Sequence, residues 1–230
     1  MPAASASSLA ARALISLAML AAVMALLVFG AAGTVRYWQA WVYLAVFFGA
    51  SLLTTVDLMR RDPALLERRM RGGPTAERRP AQRLVMLGAS LGYISLLVLP
   101  ALDRRFDWSD VSPAVVLAGD VLVVVGFYFI HRVYRENTFT SATIEIAPNQ
   151  TVVSTGPYAI VRHPMYASAL LYLVGSALAL GSYWGLIGVA VMLPFLIWRL
   201  FDEERMLVAD LTGYVEYRRK VRYRLIPFVW

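Results

Sequence analysis

Long apolar runs divide this chain, and most of its arginines lie between them. The first run, "LAARALISLAMLAAVMALLVFGAAG", already exceeds the ~20 helical residues that a bilayer core requires. Further runs cover 38–59, 84–102, 114–130, 165–180 and 184–200. With 59% hydrophobic and 16% charged residues and a mean hydropathy of +0.60, a soluble domain of 230 residues would aggregate. The reading is an all-α, polytopic membrane protein of about six transmembrane helices, five if the last hairpin is only half inserted. The chain forms a single integral membrane domain, in which residues 1–136 supply N-terminal helices and 137–230 carry the polar motifs. The first run is too long for the apolar part of a signal peptide and is read as a retained anchor.

Charge decides the expected orientation. The loop after the second run holds Arg60, Arg61, Arg68, Arg69, Arg71, Arg78, Arg79 and Arg83 against Asp62, Glu67 and Glu77, which marks it as cytoplasmic. The opposite loops are short, and one carries Asp103, Asp107 and Asp110. Six spans then put both termini and the segment 131–164 on the cytoplasmic side. An excess of 22 basic over 15 acidic residues therefore points to headgroups and topology, and nucleic acid is not expected. Arginine-rich composition with Lys220 as the one lysine predicts a bacterial inner membrane. The absence of cysteine excludes disulfides, thiolate metal sites and thiol nucleophiles.

The C-terminal half concentrates unusual polar residues. In "GPYAIVRHPMY", Pro164 should open a helix and His163 should sit extended before it, near the N-cap. Free backbone N–H groups and Arg162 make that start attractive to an anion. An interfacial anchor, with Arg, His and Tyr side chains reaching headgroups, accounts for the same residues equally well. In "WRLFDEERML", Arg199 and Glu203 share a helix face, Glu204 points elsewhere and toward solvent, and Asp202 and Arg205 solvate the helix exit. Asp120 is an intramembrane carboxylate, read first as a polar packing contact and second as a functional group. His131 is read as an interfacial anchor. The tail "YRRKVRYRLIPFVW" alternates basic and aromatic residues, as suits a membrane surface.

Taken together, "TVVSTGPYAIVRHPMY", the apolar hairpin around "LGSYWGL", "RLFDEERML" and "GYVEYRRKVRYRLIPFVW" resemble the isoprenylcysteine carboxyl methyltransferase family, itself related to membrane phospholipid methyltransferases. The resemblance covers about the last two fifths of the chain, and its R-H-P-x-Y and E-E-x-x-L elements are specific jointly. It implies a membrane enzyme using S-adenosylmethionine in a pocket at the cytosolic face. By the same resemblance Gln150, Thr151, Val152, Val153, Tyr158, His163, Pro164, Met165 and Tyr166 would line the cofactor, with Arg162 at its carboxylate. Glu203 would hold its amino acid portion, Glu204 being the alternative, and Arg199 would face the acceptor. Ser168 stands where the family usually has glycine. The implied partner is a lipophilic small molecule, a lipid or a prenylated acceptor, together with the membrane lipids themselves; the acceptor group is a carboxylate first, and an amine or thiol second.

Two other readings remain open at the level of residues. A transporter or scaffold would use Asp120, and a lipid-soluble reductase would place a nicotinamide cofactor in a similar helical pocket. No G-x-G-x-x-G, P-loop or H-E-x-x-H motif is present.

Overall fold

The computed structural model describes residues 6–72, 77, 80–144, 146–147 and 149–230. Arg78 and Arg79, part of the expected cytoplasmic arginine cluster, lie outside the described residues. Eight helices follow in order: α1 (Ala6–Ala32), α2 (Trp38–Arg61), α3 (Pro63–Met70), α4 (Pro80–Phe106), α5 (Pro113–Glu136), α6 (Pro164–Ala179), α7 (Gly185–Asp210) and α8 (Tyr214–Lys220). Five of them, α1, α2, α4, α5 and α7, are long and apolar enough to cross a membrane. The fifth expected span, 165–180, corresponds to α6, which is apolar but only 16 residues long. Among the described residues the fold therefore has five helices of full spanning length and one shorter apolar helix.

Two helix pairs form the centre, α5 against α6 and α4 against α7, with α1 packed on α4 and α2 on α5. In lipid there is little hydrophobic gain from bringing helices together, so close packing of small residues has to do it. A methyl group at Gly119 of α5 would lie 2.3 Å from the Ala179 amide nitrogen, and one at Gly188 of α7 would lie 2.5 Å from the Leu96 amide nitrogen. These backbones touch because no side chain separates them. Ser168 is buried on the same α5–α6 seam and donates its hydroxyl to the Pro164 carbonyl at 2.6 Å. The departure from glycine is thus absorbed within α6.

Asp103 organises the opposite end. It is buried at the end of α4, accepts the Ser109 amide at 2.7 Å, and takes hydroxyl hydrogen bonds from Ser109 and from Ser182 in the α6–α7 turn. A residue counted from sequence as a loop charge is in fact the tie between two turns. Asp120, also buried at 6% exposure, has no hydrogen-bond partner for either carboxylate oxygen among the described residues, so the expected polar contact is not seen.

Helix α3 was not expected. Its signals are nevertheless local: Asp62 accepts the Leu65 amide at 2.9 Å as N-cap, and Pro63 occupies the first turn. Leu65 and Leu66 then bury against Leu9, Ala13 and Leu58, which turns the arginine-rich connection into part of the core.

Gly119→Ala or Gly188→Ala should cost about 1–3 kcal/mol of stability, because neighbouring backbone must move. Gly49→Ala, where a methyl meets nothing within 4 Å, should not destabilise. Thermal denaturation in detergent distinguishes the two sets.

Candidate active site

Pro164 starts α6, and His163 precedes it as N-cap with non-helical backbone angles, φ −123° and ψ 63°, short of the fully extended conformation expected. A proline that cannot donate and a residue barred from helix before it fix this junction from sequence alone. Here the tail returns: the Arg162 and His163 amides donate to the Tyr223 and Arg224 carbonyls, each at 2.9 Å. The tail is therefore stitched to the α6 start rather than lying free on a membrane surface.

Glu204 closes the junction. It is 5% exposed, its Oε1 lies 2.9 Å from Arg162 Nε and 3.2 Å from His163 Nε2, and its Oε2 accepts Arg224 Nε at 3.1 Å. The Arg162 contact is close enough to pair charges but off line for a hydrogen bond. Arg224 is in turn held between the Phe201 and Trp230 rings, 5.3 and 5.4 Å from their centroids. This corrects two expectations. Glu204 is not solvent-exposed, and the positive helix start with Arg162 and His163 already has an anion, supplied from α7.

Below this knot lies a cavity of about 600 Å³. Its wall includes Gln150, Thr151, Val152, Val153, Tyr158, Arg162, His163, Pro164, Met165, Tyr166, Arg199 and Glu203. Of the residues that the resemblance assigns to cofactor or acceptor, Glu204 alone does not line it; it stands behind the wall and holds it. Glu203 faces inward and accepts the Tyr166 hydroxyl at 2.7 Å, its one hydrogen-bond partner among the described residues. Adjacent glutamates thus have separate environments because successive helical residues point about 100° apart.

Arg199 reaches the cavity edge but is engaged. Its Nη1 donates to Glu77 at 2.7 Å and to Gln82 at 3.1 Å, and its Nη2 donates to the Ala142 carbonyl at 2.9 Å. Its partner is therefore Glu77, 122 residues away, not Glu203 one turn along. Gln82 also donates to Asp202 at 2.8 Å, so Asp202 takes part in this network rather than simply solvating the helix exit.

Sequence reasoning missed Asn137, Tyr214 and Tyr217. Asn137 caps the end of α5 and donates to the Tyr158 hydroxyl at 3.0 Å, while the Tyr217 hydroxyl donates to the Tyr158 carbonyl at 2.8 Å. Burial pushes the Tyr158, Tyr214 and Tyr217 hydroxyls above their ordinary range, so they stay neutral. A visible signal was Gly213, which takes a φ of +86° in the turn after α7 and serves as N-cap of α8, the helix that carries Tyr214 and Tyr217.

On the far side the lining becomes apolar: Phe47, Met86, Ala89, Phe127, Tyr172 and Leu196 extend the cavity between the spanning helices. One space thus joins a polar mouth to an apolar slot at membrane depth.

Residues 114–210 match the family model described as phospholipid methyltransferase. This segment is similar to the phospholipid methyltransferases. The chain is also similar to protein-S-isoprenylcysteine O-methyltransferase B of Arabidopsis thaliana, at 29% identity over 160 residues, covering 64% of this chain and 73% of that protein. The match spans α5, α6, α7 and the segment between α5 and α6, which together carry Tyr158, His163, Tyr166 and Glu203 to the cavity. The protein is a membrane methyltransferase, and its segment 114–210 is what resembles this family.

Removing one member of a buried charge cluster leaves the others unpaired, typically costing about 3–5 kcal/mol. Glu204→Ala should therefore lower the melting temperature strongly in detergent, and Arg224→Ala less so, since Glu204 keeps Arg162 and His163.

Proposed function

We propose that the protein transfers a methyl group from S-adenosylmethionine to a lipophilic acceptor, with a carboxylate as the acceptor group. The observation that carries the reading is a single cavity, within the methyltransferase domain, whose polar mouth holds one lightly engaged carboxylate and whose far end is an apolar slot. When bound, S-adenosylmethionine supplies a methyl group on a sulfonium, and its departure leaves the C–S electron pair on sulfur.

The residues present fit such a molecule. Glu203 offers an acceptor for its ammonium group, as charge-assisted hydrogen bonding favours. Tyr166 orients that carboxylate by donating to it. Gln150, Thr151, Val152 and Val153 form a wall on which an extended cofactor can lie, with Gln150 fastened by donation from the Ala147 amide to its side-chain oxygen at 2.9 Å. Arg162 and His163 act through Glu204 and fix the mouth; they are positioning residues. Arg199 holds the Ala142 carbonyl and keeps the 137–153 segment over the cavity.

The remaining task is alignment and exclusion of water, which the tyrosines and the apolar slot supply. A carboxylate acceptor needs no base, whereas an amine or thiol must lose a proton. Among the described lining residues Glu203 is the one carboxylate, and it is assigned to the cofactor. That favours oxygen as the acceptor atom. The apolar slot accepts the hydrocarbon part of a lipid-dissolved substrate.

Isothermal titration of the detergent-purified protein with S-adenosylhomocysteine tests the reading, and absence of binding by the wild type sinks it. Glu203→Gln should weaken that binding about tenfold or more while leaving the melting temperature nearly unchanged. Equal loss of stability in Glu203→Gln would return Glu203 to a structural role.

A further inference from the structure

Four basic side chains line the cavity: Arg69, Arg162, His163 and Arg199. Three of them already face a carboxylate, Arg162 and His163 through Glu204 and Arg199 through Glu77. For Arg69, on α3, no carboxylate partner is placed among the described residues. Its Nη1 donates to the Ser141 carbonyl at 2.6 Å, and its guanidinium carbon sits 5.4 Å from the Tyr134 ring centroid. That leaves most of its five N–H donors without an acceptor among the described residues, in a partly buried, low-dielectric setting.

Arg69 also stands on a particular wall. Helix α3 packs against α2, and with Leu66, Leu58 and Tyr134 it forms the side of the cavity that continues into the apolar slot. Glu203, Tyr166 and residues 150–153 line the same cavity from α7, α6 and the segment before α6. The lining thus includes a carboxylate from α7, Glu203, and one guanidinium with no carboxylate partner among the described residues, Arg69 from α3. A planar guanidinium matches the paired oxygens of a carboxylate or phosphate, and ring stacking holds that plane in place.

We propose that Arg69 is the specificity residue for the acceptor, holding an anionic headgroup while the chain of the same molecule occupies the apolar slot. The acceptor is then an anionic amphiphile, with a carboxylate or phosphate next to its hydrocarbon. The inference rests on the methyl-transfer reading for the word acceptor, but the anion site itself is measurable without turnover. It also brings the N-terminal half into substrate choice, because Arg69 lies outside the family-matched segment 114–210.

The test is isothermal titration of the full-length protein, in a nonionic maltoside detergent with S-adenosylhomocysteine present, using laurate, dodecyl phosphate, dodecanol and dodecylamine as probes. Wild type should bind one or both anions about tenfold more tightly than dodecanol and dodecylamine, the usual worth of a charge-assisted contact. The better of the two anions identifies the headgroup. Arg69→Gln should lose the preference and keep dodecanol binding. Arg68→Gln should keep it: Arg68 donates to the Thr138 carbonyl on the same segment but does not line the cavity, so it controls for loosening of that loop. The proposal is overturned by equal binding of all four probes to wild type, by a preference that survives Arg69→Gln, or by its loss in Arg68→Gln. It is equally overturned if Arg69→Gln weakens S-adenosylhomocysteine and leaves the anion preference intact, which would assign Arg69 to the cofactor carboxylate. Failure of the wild type to bind S-adenosylhomocysteine would remove the methyl-transfer reading, while an Arg69-dependent anion preference would still stand.

Discussion

Glu204 holds the polar end of this molecule together. One buried carboxylate from α7 meets Arg162 and His163 at the start of α6 and Arg224 from the tail, so three separate stretches of chain converge on two oxygen atoms. Desolvating a carboxylate is costly, and a cluster like this is favourable only when every member has partners. The tail's backbone bonds to Arg162 and His163 and the ring sandwich around Arg224 supply the remaining order. Because Glu204 takes this load, Glu203 is free to point into the cavity.

A division of labour between neighbours recurs through the structure. Arg199 is spent on Glu77 and on the 137–153 segment, whereas Arg69 retains donors. Ser182 and Asp103 lock the distant turns, so the short α6 can begin at the cavity and still be anchored at its far end. Glycines on α4, α5, α6 and α7 bring backbones into contact where lipid gives side chains little reason to associate. The result is a rigid frame around a space that opens from polar to apolar.

Much of the frame was legible in residue order. The apolar runs marked each spanning helix, Pro164 after His163 marked the α6 start, and the R-H-P-x-Y and E-E-x-x-L elements marked the segments that meet at the cavity. Helix α3 was legible too, through Asp62 and Pro63, but the density of arginine around it reads first as a topology signal. The roles of Glu203 and Glu204 were not separable, because adjacent identical residues carry no label for which one meets its partners. Nor could Arg199 be paired with Glu77: a helix neighbour four residues away is visible in sequence, a partner 122 residues away is not.

The sequence by itself determined that this chain is a bundle of membrane helices with its distinctive polar motifs in the C-terminal half, since burial of backbone in lipid admits few alternatives for long apolar runs. Tertiary structure decided which charges are spent and which remain available. Pairing depends on distances of a few ångströms between segments far apart in the chain, and only folding brings Arg224 to Glu204, Glu77 to Arg199, and leaves Arg69 facing the cavity.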